Sequence, residues 1–160
     1  MLFGLARRIT GNHDDAMDVL QDSCIKAWRG IAEVHGGSFK SWMSTIVSRT
    51  ALDRVRARRP LAALEDEDNV VIPLPDPNPG PESLALRRDR LGLIEAALER
   101  LSPEHRAMVL MRDLGDLSYE EMASSLDVPL GTVRSRLARA RMALQRELLS
   151  LDPGILEALA

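Results

Sequence analysis

The chain has 160 residues, enough for one ordinary domain or two small ones, and 45% of them are hydrophobic, so a packed core is within reach. Aromatics at 3% favour helices packed through Leu, Ala, Ile and Met over a β-sandwich, and a single cysteine excludes an intrachain disulfide or a cysteine-based metal site. A formal net charge of −3 excludes a uniformly basic duplex binder, yet the basic residues gather at 49–59 and 134–146 and the acidic ones at 14–22, 65–68 and 113–127, the pattern of separate DNA and partner faces.

The first helix carries Leu2, Phe3, Leu5, Ala6 and Ile9 and ends at Gly11, a good C-cap residue. Met1 leads straight into it, past Arg7 and Arg8, without a signal-peptide pattern. No apolar run is long enough to span a membrane, and the composition fits a reducing cytoplasm.

The second helix spans about Asp14 to Ile31. Its expected apolar face is Ala16, Leu20, Cys24, Ala27 and Ile31, widened by Met17, Val19 and Trp28. The opposite face holds Asp14, Asp18, Gln21, Asp22, Ile25 and Arg29. Either this is a solvated face with one stray isoleucine, or Ile25 ringed by polar groups marks a small protein interface.

After Gly36-Gly37 a third helix runs from Ser38 to about Arg58. Phe39, Met43, Ile46 and Thr50 align on one face, and Trp42, Arg49, Asp53 and Arg56 form a neighbouring stripe. A ring beside arginines suits single-stranded nucleic acid, where bases stack and phosphates meet cations. Trp42 fits a core position equally well.

Between Pro60 and Glu82 an acidic cluster precedes Pro73, Pro75, Pro77, Pro79 and Pro81. Alternate prolines exclude helix and central strand, so this segment reads as an extended, semi-rigid tether. Both flanks are helical by period. The expected architecture is all-α: two small helical domains, each near the lower size limit for a self-sufficient core.

The C-terminal part holds the sharpest motif, from Leu117 to Leu144. Leu117, Tyr119, Met122, Ala123 and Leu126 recur at helical spacing, and Ser118 with Glu121 makes a capping-box pattern. Leu126-Asp127-Val128 breaks the phase, and Pro129 opens the next helix. This is helix-turn-helix geometry, whose second helix enters a major groove. Val133, Leu137, Ala140 and Leu144 share its packed face. Ser135, Ala138, Arg139 and Met142 lie opposite, with Arg134 and Arg136 on the flanks. Short residues for close approach, a donor for base edges and flanking cations for phosphates are what a groove-reading helix needs. A surface helix with solvated arginines would look similar, but only Glu147 offers them an acidic neighbour on the helix.

Three stretches together carry a family resemblance: DAMDVLQDSCIKAW from Asp15, SFKSWMSTIVSRTALDRVRARR from Ser38, and LSPEHRAMVLMRDLGDLSYEEMASSLDVPLGTVRSRLARAR from Leu101. The chain resembles a bacterial alternative sigma factor of the extracytoplasmic-function (ECF) group, the minimal sigma-70 type with regions 2 and 4 alone. The likeness implies region 2 at 1–60, an acidic Pro-rich linker at 61–83, a region 4 helix-turn-helix at 84–150 and a tail at 151–160. It implies binding to the clamp helices and flap of core RNA polymerase, with Asp15, Asp18, Gln21, Asp22 and Ile25 on the docking face. Ser38, Phe39, Lys40, Trp42, Arg49, Asp53 and Arg56 would hold the −10 element as single strand. Thr132, Arg134, Ser135, Arg136, Ala138 and Arg139 would read the −35 element as duplex. The linker would thread through the polymerase, an anti-sigma factor is a possible partner, and no cofactor, metal or catalytic residue is implied. Two departures stand out: Arg49 lies where the family often has Asn, and the chain starts inside the first helix of region 2.

Two readings from other classes compete. A duplex-binding regulator would need a dimer interface to address two half-sites, and neither heptads nor a sensor domain is visible. An enzyme could draw on His13-Asp14-Asp15, a fragment that also reads as a helix start with dipole-favourable acids.

Overall fold

The computed structural model describes residues 1–33, 38–58 and 82–155. Among these residues there are seven α-helices, one 3-10 turn and no strand. They are α1 (Leu2–Thr10), α2 (His13–Gly30), α3 (Phe39–Arg58), α4 (Glu82–Arg100), α5 (Pro103–Asp113), α6 (Tyr119–Leu126) and α7 (Leu130–Leu151), with the 3-10 turn at Ile31–Glu33. The tether expected between Pro60 and Glu82 lies outside the described residues, except that Glu82 already begins α4.

Local chemistry sets most boundaries. Gly11 adopts φ 82° and its N–H bonds to the Arg7 carbonyl, closing α1 through a left-handed cap. Asn12 caps α2: its Oδ1 accepts from the Asp15 N–H at 2.8 Å, and Asp14 and Asp15 sit in the first turn, where the helix dipole favours acids. Ser102 caps α5, with Pro103 at its first position. The capping box of α6 is complete, with Glu121 N–H to Ser118 Oγ at 3.1 Å and Ser118 N–H to Glu121 Oε2 at 2.7 Å. Asp127, at φ 53°, ends α6 in the left-handed region. Pro129 is then the residue before α7 rather than its first turn, since α7 begins at Leu130.

The helices α1, α2 and α3 pack on one another, as α5, α6 and α7 do, with α4 against α7. The two groups do not stand apart. Helix α5 packs on α1 and α3, and α6 packs on α3. One apolar cluster runs from Leu5, Ala6 and Ile9 through Val47, Ala51 and Leu52 to Met108, Met111, Leu117 and Met122, and on to Val133, Leu137 and Ala140. A smaller cluster of Ala97, Leu148 and Ile155 joins α4 to the end of α7. The two small helical domains of this all-α fold thus share an apolar core.

Arg106 reinforces the join. Its guanidinium donates to the carbonyls of Leu98, Glu99 and Leu101 at 2.8, 2.6 and 3.2 Å, closing the end of α4, and reaches the Arg8 carbonyl of α1 at 3.5 Å. Burial pulls its pKa down, and Glu99 opposes this. Arg8 in turn pairs with Glu95 of α4.

Candidate nucleic-acid and partner interfaces

The face of α2 is rotated about 70° from expectation, at 100° per residue. Asp15, Ala16, Val19, Ser23 and Ala27 are buried, whereas Met17, Cys24, Trp28 and Ile31 are exposed. Small residues line the buried seam of α2, which packs on α1 and α3; Ser23 is buried in it, as Ser44 and Ser48 are on α3. These three hydroxyls have no protein hydrogen-bond partner. The larger apolar side chains are thereby turned outwards.

Asp15 is a correction. It is 2% exposed and cannot offer its carboxylate to a partner. Arg54 Nε donates to its Oδ1 at 3.1 Å, Arg58 pairs with its Oδ2, and the Asn12 amide donates to Oδ2 at 2.5 Å. Burial alone would push the carboxyl up; the Asn12 hydrogen bond, then Arg54 and Arg58, outweigh it and hold the pKa below its ordinary 3.8. Arg54 gains the reverse effect, raised chiefly by its bond to Asp15. Asp18, Gln21, Asp22 and Ile25 are exposed, and Asp18 also pairs with Arg54 at 2.5 Å. Beside them runs the stripe of Met17, Ile25, Trp28 and Ile31, with Trp28 80% exposed. Sequence reasoning placed three of these four in the core. The spacing Ala16, Val19, Ser23, Ala27 carried the correct phase, but it is less hydrophobic than the one chosen.

On α3, Ser38, Phe39, Lys40, Arg49, Asp53 and Arg56 are exposed and Trp42 is half-buried. Phe39 stands 59% exposed, not in the apolar face expected for it. Its ring lies 5.7 Å from that of Trp42, and Gly30 passes close to the Trp42 ring. The structure thus sets Ser38 just before α3 and the other six on that helix, with two rings at its start. It also reveals partners that sequence reasoning missed. Lys40 Nζ donates to Asp116 Oδ2 at 2.9 Å, and Arg56 Nε meets Glu104 Oε1 at 3.5 Å.

On α7, Val133, Leu137 and Ala140 are buried, while Arg134, Ser135, Arg136, Ala138 and Arg139 are exposed and Thr132 is half-buried. Leu144 is partly buried and packs against the core, beside the buried Ala143. Arg139 leans back on the Ser135 carbonyl at 3.5 Å, and Arg141 pairs with Asp113 at 2.8 Å. The outward face of α7 is therefore open, with three guanidinium groups at its first half. Among the described residues no cluster of three His, Cys, Asp or Glu could hold a metal. His13 packs edge-on to Phe3, and Asp15 is committed to arginines.

Residues 1–60 match the family Sigma-70 region 2, and residues 91–144 match Sigma-70, region 4. Over 140 residues the chain is 36% identical to the ECF RNA polymerase sigma-E factor of Salmonella typhimurium, covering 83% of this chain and 73% of that protein. The chain belongs to the ECF sigma factors. It is also 41% identical over 148 residues to the ECF RNA polymerase sigma factor SigE of Mycolicibacterium smegmatis, covering 90% of this chain but 56% of the relative, so it spans little more than half that protein's length. Among solved structures, the sigma factor RpoE of Bartonella quintana, in complex with its anti-sigma factor NepR, superposes with a TM-score of 0.64 at 30% identity, covering 94% of this chain and 91% of the other. CnrH, in complex with the cytosolic domain of CnrY, shares the fold with a TM-score of 0.59 at 23% identity, over 94% of this chain and 81% of that one. In this sigma factor no helix among the described residues is long and apolar enough to cross a membrane.

Proposed function

We propose that this ECF sigma factor binds core RNA polymerase and directs promoter recognition, DNA melting and transcription initiation, without enzymatic activity of its own, in the bacterial cytoplasm. The observation that carries this reading is the open, arginine-bearing face of α7 in a chain whose first 60 residues are sigma region 2. A helix that reads duplex DNA is here joined to a second unit built for single strand.

The division of labour follows. Region 2 occupies 1–60, the acidic linker 61–83, region 4 84–150 and the tail 151–160. Asp18, Gln21, Asp22 and Ile25 dock on the polymerase clamp helices, joined by Met17 and Trp28. An apolar stripe flanked by carboxylates suits a basic helical partner with apolar teeth. Region 4 meets the flap. Ser38, Phe39, Lys40, Trp42, Arg49, Asp53 and Arg56 hold the −10 strand, with rings for bases and cations for phosphates. Thr132, Arg134, Ser135, Arg136, Ala138 and Arg139 read the −35 duplex. An anti-sigma factor is a fitting partner, as the RpoE relative has one.

Run-off transcription with core polymerase on a promoter library tests the reading. Transcripts that depend on this chain and share two spaced DNA elements are the expected result. Tight, specific duplex binding by the chain alone, with no transcript in the presence of core enzyme, would favour a plain helix-turn-helix regulator.

A further inference from the structure

The two groups of helices meet through charges as well as through their common core. Lys40 and Arg56 lie at the two ends of α3, and each faces a carboxylate from the other group. Asp116 reaches Lys40 from the turn before α6, at 2.9 Å, and Glu104 reaches Arg56 from the first turn of α5, at 3.5 Å. Asp116 holds a left-handed backbone, φ 63°, which an aspartate tolerates better than most residues. The Lys40 hydrogen bond holds its carboxyl below the ordinary 3.8. Of the three cations assigned above to the −10 strand, only Arg49 has no ion pair among the described residues. Among the described residues Arg134, Arg136 and Arg139 of α7 have no ion pair, and Arg141, paired with Asp113, lies outside the set that reads DNA.

We infer that Glu104 and Asp116 act as internal surrogates for promoter phosphates, occupying Lys40 and Arg56 until a single strand displaces them. The inference rests on the proposed −10 site. Lys40–Asp116 is exposed and Arg56–Glu104 partly so, and ion pairs within reach of solvent contribute little to folding; the apolar seam, not these pairs, holds the molecule closed. Their effect falls on binding. A strand arriving at α3 must replace carboxylates rather than mobile salt ions, whereas duplex arriving at α7 meets open guanidinium groups. The free chain is thereby biased towards duplex over single strand.

The test uses the full chain, a fluorescein-labelled single-stranded 20-mer of mixed sequence, and fluorescence anisotropy across a salt series. Glu104→Gln with Asp116→Asn removes the surrogates. Glu120→Gln with Glu147→Gln removes the same charge from exposed and half-buried sites elsewhere. The first pair should tighten strand binding several-fold more than the second. Two more phosphates would then release counterions, so the slope of log K against log salt should steepen by about 1.4. Equal affinities and slopes in the two double variants would overturn the inference. A failure of the −10 site itself gives a different signature: Lys40→Gln with Arg56→Gln, added to the first pair, would then leave strand binding unchanged.

Discussion

Asp15 Oδ1 accepts a hydrogen bond from Arg54 Nε at 3.1 Å, tying the first turn of α2 to the last turns of α3. The carboxylate is buried, while Arg54 and Arg58 keep part of their side chains in solvent. The contact therefore belongs to the fold of region 2 and not to its docking surface.

Asp15→Ala should cost about 3 kcal/mol in urea unfolding, the low end for breaking a buried pair, because the abandoned arginines can rehydrate. Asp22→Ala, on the exposed side of the same helix, should stay within about 0.5 kcal/mol. Equal costs would contradict the placement of Asp15.

The same carboxylate sets an acid limb. Its folded pKa lies below the ordinary 3.8, so its contribution is complete above about pH 3.8 and fades as pH falls through the lower folded value. Asp15→Asn should flatten stability against pH in that acid range and leave the slope near neutrality unchanged, which urea midpoints measured from pH 2 to 7 would reveal.

Trp28→Glu and Ile25→Glu should abolish capture by immobilised core polymerase while leaving thermal unfolding within a few degrees of wild type, since both side chains are exposed. Asp22→Arg should weaken capture by opposing a basic partner. It is a cleaner probe than Asp18→Arg, which would also disturb Arg54. Full capture of all these variants would remove α2 from the docking surface.

Arg139→Ala should cost roughly 1–3 kcal/mol on the upstream promoter element and relax sequence preference there. Arg141 already holds Asp113, so Arg141→Ala should weaken binding evenly across sequences. Binding to the preferred element and its point variants separates the two; a uniform loss for Arg139→Ala would refute base reading by that residue.

Arg106→Ala leaves the carbonyls of Glu99, Leu101 and Arg8 without the guanidinium donor, while that of Leu98 keeps the Leu101 N–H. Each buried group so stranded costs about 1–3 kcal/mol unless water reaches it. A loss of about 3 kcal/mol is expected, with Arg106→Lys recovering only part, because one ammonium cannot span the same fork of acceptors. Full recovery by lysine would show that charge alone matters at this position.

Much of this was legible in the sequence where a local rule decides the outcome. The Gly11 cap, the Ser118–Glu121 box and the outward face of α7 each follow from chemistry within a turn or two. The face of α2 was misread because its buried seam is built from Ala16, Ser23 and Ala27, which a hydrophobicity pattern undervalues. Helix α3 gave a blurred stripe for another reason: it packs against α1 and α2 as well as α5 and α6, so no single face is apolar. Ser41, Ser44, Ser48 and Thr50 are buried there among Val47 and Leu52. Nothing in the sequence pairs Lys40 with Asp116, which stand 76 residues apart.

The shared core has a thermodynamic corollary for any partner that must find the two promoter-binding units spread apart. Such a partner binds only the fraction of molecules already open, and its apparent Kd rises by the inverse of that fraction. Each 1.4 kcal/mol favouring the closed arrangement thus weakens the measured affinity tenfold. Substitutions that loosen the core at Met108 or Met122, whose side chains are buried and named in no proposed contact, should then look like gain-of-affinity variants.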